Sequence, residues 1–189
     1  MDGVERCIDD EIPFDIPENW QWVRLGIVIG LLSGTDFKPQ FYNDRHEGIP
    51  YITGASNFDN ESLIINRWTN SPQVIAEKGD LLLVCKGSGY GKSLICNIDK
   101  AHIARQIMAI KHMENIDMGY LRVFLSAYHD TLKSRGQGVI PGIDRNSVLS
   151  LLFPLPPYAE QVRIVSLITQ IKALKPYNCQ EMAYGDCIM

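Results

Sequence analysis

Apolar and polar positions along this chain follow two periods, and the change between them divides it. Up to about residue 112 the apolar runs are short and separated by glycine, proline and asparagine, the pattern of strands joined by turns. Trp20 and Trp22 alternate with polar neighbours as in a strand, after Pro13 and Pro17 hold the opening segment extended. Residues 23–32 form an apolar run that suits a strand or a short helix equally. Residues 48–53 and 61–68 read as strands. Ser71 before Pro72 looks like a helix cap with proline at the first helical position, which predicts a helix to about Glu77. Residues 78–80 make a turn, 81–86 a buried strand, 93–98 a weaker strand, 97–100 a turn, and 106–112 a further strand.

Beyond that point Leu121, Phe124, Leu125, Tyr128 and Leu132 recur at three- and four-residue steps, one face of a helix. Asp117 can cap its start. Gly136 can end it, with Lys133 and Arg135 beside the negative end of its dipole. A second helix is predicted over residues 157–175. Pro156 and Pro157 set its start, Glu160 favours its first turn, and Pro176 stops it. Its stripe is Ile164, Leu167, Ile168, Ile171 and Leu174, and its length is roughly 27 Å. A lone helix of that length is marginal in water, so the stripe is expected to be an association surface. Residues 176–189 show no period and read as a loose end.

Composition narrows the class without choosing a function. At 189 residues, 46% apolar and 21% charged, the chain suits one globular domain with an appendage. No apolar run reaches the roughly 20 residues of a membrane span, and the acidic start has no signal core, so the chain reads as soluble and cytoplasmic. Five cysteines with no CxxC spacing and four scattered histidines fit neither a disulfide scaffold nor a metal site. The net charge of −4 hides an asymmetry. Residues 1–85 carry 6 Lys/Arg against 14 Asp/Glu, whereas residues 86–145 carry 9 against 5. The basic stretch can mark an anion-facing side, although scattered surface charge would give the same count.

Two motifs imitate known chemistry. Gly91-Lys92-Ser93 ends like a phosphate-binding loop, but the first glycine of that motif would fall at position 86, which is Lys86. The residues after Ser93 reach a turn too soon to open a long helix. Pro156-Pro157-Tyr158 imitates the catalytic motif of amino-methyltransferases, but Leu155 stands where a polar acceptor is needed. No catalytic residue is therefore assigned. The stretch Lys86, Gly87, Ser88, Gly89, Tyr90, Gly91 and Lys92 still brings glycines and two lysines together, which suits a phosphodiester backbone, with Lys133 as a further phosphate contact. A tight hairpin with solvated lysines is the plainer reading of the same residues. Arg105, Gln106, Arg135 and Gln137 are the residue types that read base edges.

Four blocks in order then become distinctive: EIPFDIPENWQWVRLG (11–26), GIPYITGASNF (48–58), KGDLLLVCKGSGYGK (78–92) and GVIPGIDRNSVLSLLFPLPPYAEQVRIV (138–165). Together they resemble a target recognition domain of a type I restriction-modification specificity subunit, over about residues 11–172. The ending Pro-Leu-Pro-Pro-x-x-Glu-Gln-x-x-Ile-Val is the most specific part. The resemblance implies a non-catalytic reader of duplex DNA. It would work with methyltransferase subunits that use S-adenosylmethionine and with a restriction and motor subunit that uses ATP and Mg²⁺, and it would hold no cofactor itself. It covers one recognition domain where the family has two, which leaves open a fragment, a half-subunit that dimerises through the C-terminal helix, or a disrupted gene product.

The expected fold is α/β of the α+β kind: a mixed, mostly antiparallel, curved sheet with a few helices, followed by one protruding C-terminal helix. Residues 1–155 would form the recognition domain, 156–175 the helical spacer and 176–189 the tail. The alternative of another class is a stand-alone sugar- or protein-binding module rich in β-structure.

Overall fold

Leu81, Leu82, Leu83 and Val84 are all within 3% of complete burial, and a strand can only be buried on both faces if the fold covers both. Leu81 and Leu83 point into one apolar cluster and Leu82 into a second. Burial of each leucine contributes about 1.5–3 kcal/mol. The rest of the domain is arranged around this double-sided strand. The computed structural model describes residues 7–59, 61–87, 89–135 and 142–174, with only the backbone described for 129–135.

From the N-terminus the chain forms β1 (Gln21–Arg24), a single helical turn α1 (Leu25–Val28), β2 (Leu31–Ser33) and β3 (Ile49–Ile52). The run left ambiguous between strand and helix thus contains both. A two-strand hairpin follows, β4 (Phe58–Asp59) and β5 (Ser62–Leu63), then β6 (Trp68–Thr69) and β7 (Ile75–Glu77). The expected single strand over 61–68 is therefore split between a tight hairpin and a separate short strand. Next come β8 (Leu81–Val84), β9 (Ser93–Ile95), β10 (Lys100–Ile103) and β11 (Ile107–Ile110). The chain ends in α2 (Met118–Arg135), α3 (Arg145–Leu149), β12 (Leu152–Leu155) and α4 (Tyr158–Ala173).

Two four-stranded sheets make the body. One has the order β2-β11-β8-β9 and is wholly antiparallel. The other has the order β6-β3-β10-β7, with β3 and β10 parallel and the other pairs antiparallel. β1 pairs with β12 from the far end of the chain, Gln21 opposite Leu155 and Arg24 opposite Leu152. The mixed, mostly antiparallel α+β fold read from the sequence is the one observed, divided among separate sheets.

The helix expected from Ser71 to Glu77 is absent: its last three residues are β7. His102 explains the outcome. Its Nδ1 accepts the backbone N–H groups of Gln73 and Val74, at 3.4 and 3.3 Å, which would otherwise open a helix. Ala76 is then fully buried opposite Ala101, in a strand pair too tight for a helix. The turn placed at 97–100 ends one residue early, because Lys100 already pairs with Glu77.

The α2 cap is as expected: Asp117 Oδ1 accepts from the Tyr120 N–H at 2.8 Å. Gly136, expected to end this helix, lies outside the described residues, as does the 176–189 tail. The C-terminal helix α4 is anchored through its first turn. Gln161 is 1% exposed, and its side chain accepts from Asp117 N at 2.9 Å. The same side chain donates to Pro156 O and Asn115 O at 3.0 and 3.2 Å. Glu160 accepts from the Trp20 indole at 3.1 Å. The Glu-Gln pair of the motif thus locks α4 to α2 and to the N-terminal segment. Ile164 and Val165 pack against the larger core, whereas Leu167, Ile171 and Leu174 are 46%, 65% and 74% exposed.

That gradient separates two roles within one stripe. Ile164→Glu is expected to lower the free energy of unfolding by about 2–4 kcal/mol, through lost packing and a poorly solvated charge. Ile171→Glu is expected to change it by less than about 0.5 kcal/mol, as at an open surface. Urea unfolding of the two variants measures both.

Candidate nucleic-acid interface

Strand polarity brings four loops to one edge. β2 and β8 both run antiparallel to β11, so their C-terminal ends lie side by side at its start. β3 and β10 are parallel, so theirs coincide too. The loops that leave these ends are residues 34–37, 85–92, 53–57 and 104–106, and they hold one another. Gly34 N donates to Ile107 O and Thr35 N to Ile103 O, both at 3.0 Å. Cys85 N donates to Gln106 O at 2.7 Å and Ala104 N to Ile52 O at 2.9 Å.

The glycine loop is a β8–β9 hairpin. Gly91 N donates to Val84 O at 2.7 Å, Tyr90 N to Gly87 O and Lys92 N to Gly89 O, each at 3.1 Å. Those three amides are engaged inside the loop and are not available to an anion. Gly87 and Gly91 have φ of 87° and 85°, which other residues adopt at a penalty. At Gly89 a Cβ would come within 2.2 Å of Ala55 Cβ. The glycines are thus required by the turn and by its seat on the 53–57 loop. Lys86 and Lys92 are exposed, and Ser88 lies outside the described residues. Ser93 begins β9 and not a helix, as the departure from the phosphate-binding motif implied.

Arg105 and Gln106 occupy the β10–β11 turn beside this hairpin, both exposed. Gln106 Oε1 lies 2.6 Å from where a Cβ on Gly54 would stand and 3.7 Å from one on Gly87, so its amide rests between two glycines. Arg105 Nε lies 2.6 Å from Asp36 Oδ2, and Arg105 N donates to Asp36 Oδ1 at 3.0 Å. Lys86, Lys92, Arg105 and Gln106 therefore share one edge. Lys133 and Arg135 fall in the last turn of α2, where only the backbone is described, and Gln137 lies outside the described residues. Arg145, at the start of α3, is an exposed residue whose guanidinium donates to Leu31 O at 2.6 Å.

Three residues that sequence patterning passed over build this edge. Asn57 is fully buried; its Oδ1 accepts from Thr53 N at 2.8 Å and its Nδ2 donates to Ile64 O at 2.8 Å, which shapes the 53–57 loop. Asp36 holds Arg105. His102 is fully buried and stacks on Phe37 at 4.2 Å between centroids. Because its Nδ1 accepts two amides, Nε2 carries the hydrogen and donates to Thr35 O at 2.9 Å. Burial lowers its pKa, against the opposing pull of the bonds to Thr35 and Val74.

Beside the glycine loop, whose residues Tyr90, Gly91 and Lys92 form part of its wall, a groove of about 810 Å³ opens between the β4–β5 hairpin, α2 and α4. Phe58, Val165 and Ile168 give it an apolar lining, and Lys92, Arg122 and Lys172 stand along it. Arg122 Nη1 donates to Glu61 Oε2 at 2.5 Å. Ile168 of the predicted stripe thus faces this groove.

This architecture is that of a recognition domain from a restriction-system specificity subunit. The crystal structure of the HsdS subunit from Thermoanaerobacter tengcongensis superposes with a TM-score of 0.76 at 27% identity, over 85% of this chain and 39% of that one. The chain belongs to the family of type I restriction modification DNA specificity domains, whose model matches residues 17–176. It is 26% identical over 181 residues to the type I restriction enzyme EcoAI specificity subunit of Escherichia coli, covering 86% of this chain and 30% of that one. It is 29% identical over 164 residues to the type I restriction enzyme MjaVIII specificity subunit of Methanocaldococcus jannaschii, covering 84% and 37% respectively. The chain thus spans only 30–39% of the length of these relatives. The alternative of an unrelated sugar- or protein-binding module is not favoured.

His102 makes stability depend on pH with a definite sign. The folded state holds it neutral, while an unfolded histidine titrates near 6.5. Below that value the unfolded chain binds a proton that the folded chain refuses, so stability is lost as pH decreases, by at most about 1.4 kcal/mol per unit for one group. The urea midpoint of wild type is expected to drop between pH 7.5 and 5.5 more than that of His102→Gln. Equal drops would remove His102 as the cause.

Proposed function

We propose that this domain reads duplex DNA sequence as one recognition domain of a type I restriction-modification specificity subunit and performs no chemistry itself. The observation that carries the reading is the four-loop edge, where Lys86, Lys92, Arg105 and Gln106 stand together on loops locked by backbone bonds. Lys86 and Lys92 supply mobile positive charge for phosphates, while Arg105 and Gln106 have the donor and acceptor geometry for guanine and adenine edges. Lys133 would extend the phosphate contacts, and Arg135 and Gln137 the base contacts. Family membership supports the same conclusion.

In this reading residues 1–155 read the DNA and α4 joins the domain to the rest of a cytoplasmic complex. Its outer residues Leu167, Ile171 and Leu174 would meet a methyltransferase subunit, and a second copy of this chain is the other occupant such a stripe can take. S-adenosylmethionine, ATP and Mg²⁺ would act on the methyltransferase and restriction subunits. A single domain reads one half of a split target and lacks the avidity of two linked domains, so its own binding is weak.

Duplex binding measured across salt concentrations tests the proposal. Wild type is expected to lose affinity steeply with salt, and Lys86→Ala and Lys92→Ala each to flatten the log–log slope by about one unit on every sequence. A slope unchanged in the double variant would take this loop off the DNA.

A further inference from the structure

The Asp36–Arg105 pair is costly in the wrong place for a DNA-binding surface. A carboxylate beside a phosphate-facing arginine cancels the charge that would attract DNA. The pair is also too open to matter much for stability: Arg105 and Asp36 side chains are 71% and 43% exposed, and such pairs contribute at most about 1 kcal/mol. Neither affinity nor stability therefore accounts for it well.

Its construction is more telling. Asp36 grips Arg105 at two points, the backbone N–H through Oδ1 and the guanidinium Nε through Oδ2. Asp36 in turn cannot drift, because its neighbours are pinned on both sides. Thr35 N donates to Ile103 O at 3.0 Å, and Thr35 O accepts from His102 at 2.9 Å. Phe37 N donates to the Tyr51 hydroxyl at 3.2 Å, and the Phe37 ring stacks on His102. Holding Nε leaves the terminal pair of guanidinium nitrogens to meet an outside partner. That pair in a fixed plane matches the O6 and N7 acceptors of guanine, and a side chain already ordered loses little rotamer entropy on binding.

We propose that Asp36 is the positioning residue that orients Arg105 to read a guanine, giving up some general DNA affinity for discrimination at one base pair. This rests on the DNA-reading function proposed above. It distinguishes Arg105 from Lys86 and Lys92, which are argued to meet phosphates without regard to sequence.

The two roles respond oppositely to one substitution. Asp36→Asn keeps an oxygen that can accept from Arg105 N but removes the charge that holds the guanidinium. Selection from randomised duplexes by the full chain, with affinities measured for the selected and a scrambled duplex, gives the readout. Asp36→Asn is expected to bind the scrambled duplex more tightly, with a steeper salt slope, while its preference at one base pair falls about tenfold. Arg105→Ala should lose preference at that same base pair. A merely structural Asp36 would instead weaken both duplexes together and lower the melting midpoint. That result, or an unchanged motif in Asp36→Asn, overturns the positioning role while the DNA-reading function stands. A motif unchanged in Arg105→Ala, with weaker binding to all sequences, makes Arg105 a phosphate contact and overturns it too. No enrichment of any motif by wild type would sink the DNA-reading function and this proposal together.

Discussion

A neutral histidine inside the domain sets the shape of its exposed edge. His102 offers one acceptor and one donor, and both are used on loops: Nδ1 takes the amides of Gln73 and Val74, and Nε2–H reaches Thr35 O. An imidazole can meet both demands only in one tautomer and only uncharged. Phe37 and Tyr51 close over its ring, with centroids at 4.2 and 5.0 Å. The result is a rigid base under residues 34–37, next to the parallel ends of β3 and β10. Because β10 passes directly into the turn with Arg105 and Gln106, a buried strand residue governs the geometry of residues three and four positions away at the surface.

The other end of the domain is organised by a different polar residue. Gln161 completes the start of α2 and the carbonyl of Pro156 at once, with Glu160 tied to Trp20. The Pro-Pro-x-x-Glu-Gln signature is therefore a joint: prolines turn the chain out of β12, glutamine locks the new helix to the body, and glutamate clasps the N-terminal segment. A helix fixed this way leaves the body at a defined angle. The stripe beyond it changes role along its length, from core at Ile164 to open surface at Leu174.

Much of this was legible in the sequence, and what was missed has physical causes. Long periodic signals survived: the helix with Leu121 and Leu125 inward, the buried Leu81–Val84 strand, and the proline-started final helix all form where patterning placed them. Short elements did not. The cap signal of Ser71-Pro72 was overridden when His102 took the first-turn amides, a contact between residues almost thirty apart. β12 was hidden by Pro154, which is tolerated because, among the described residues, that strand pairs only with β1. At the surface, residue type suggested Lys86, Lys92, Arg105 and Gln106, and strand polarity brought them together. Asp36 and Asn57 carried no such signal, because a lone acidic residue and a lone asparagine after glycine-rich turns look like ordinary loop residues until their partners are known.

The central claim is that the loops at the shared ends of β2, β3, β8 and β10 face the DNA. Photo-crosslinking of the full chain to a duplex substituted with bromodeoxyuridine, with the attached peptides identified by mass spectrometry, tests it most directly. Crosslinks should fall within residues 34–37, 53–57, 85–92 and 104–106. Crosslinks confined to α4 or to the β1–β12 side, with these loops unmodified, would contradict it.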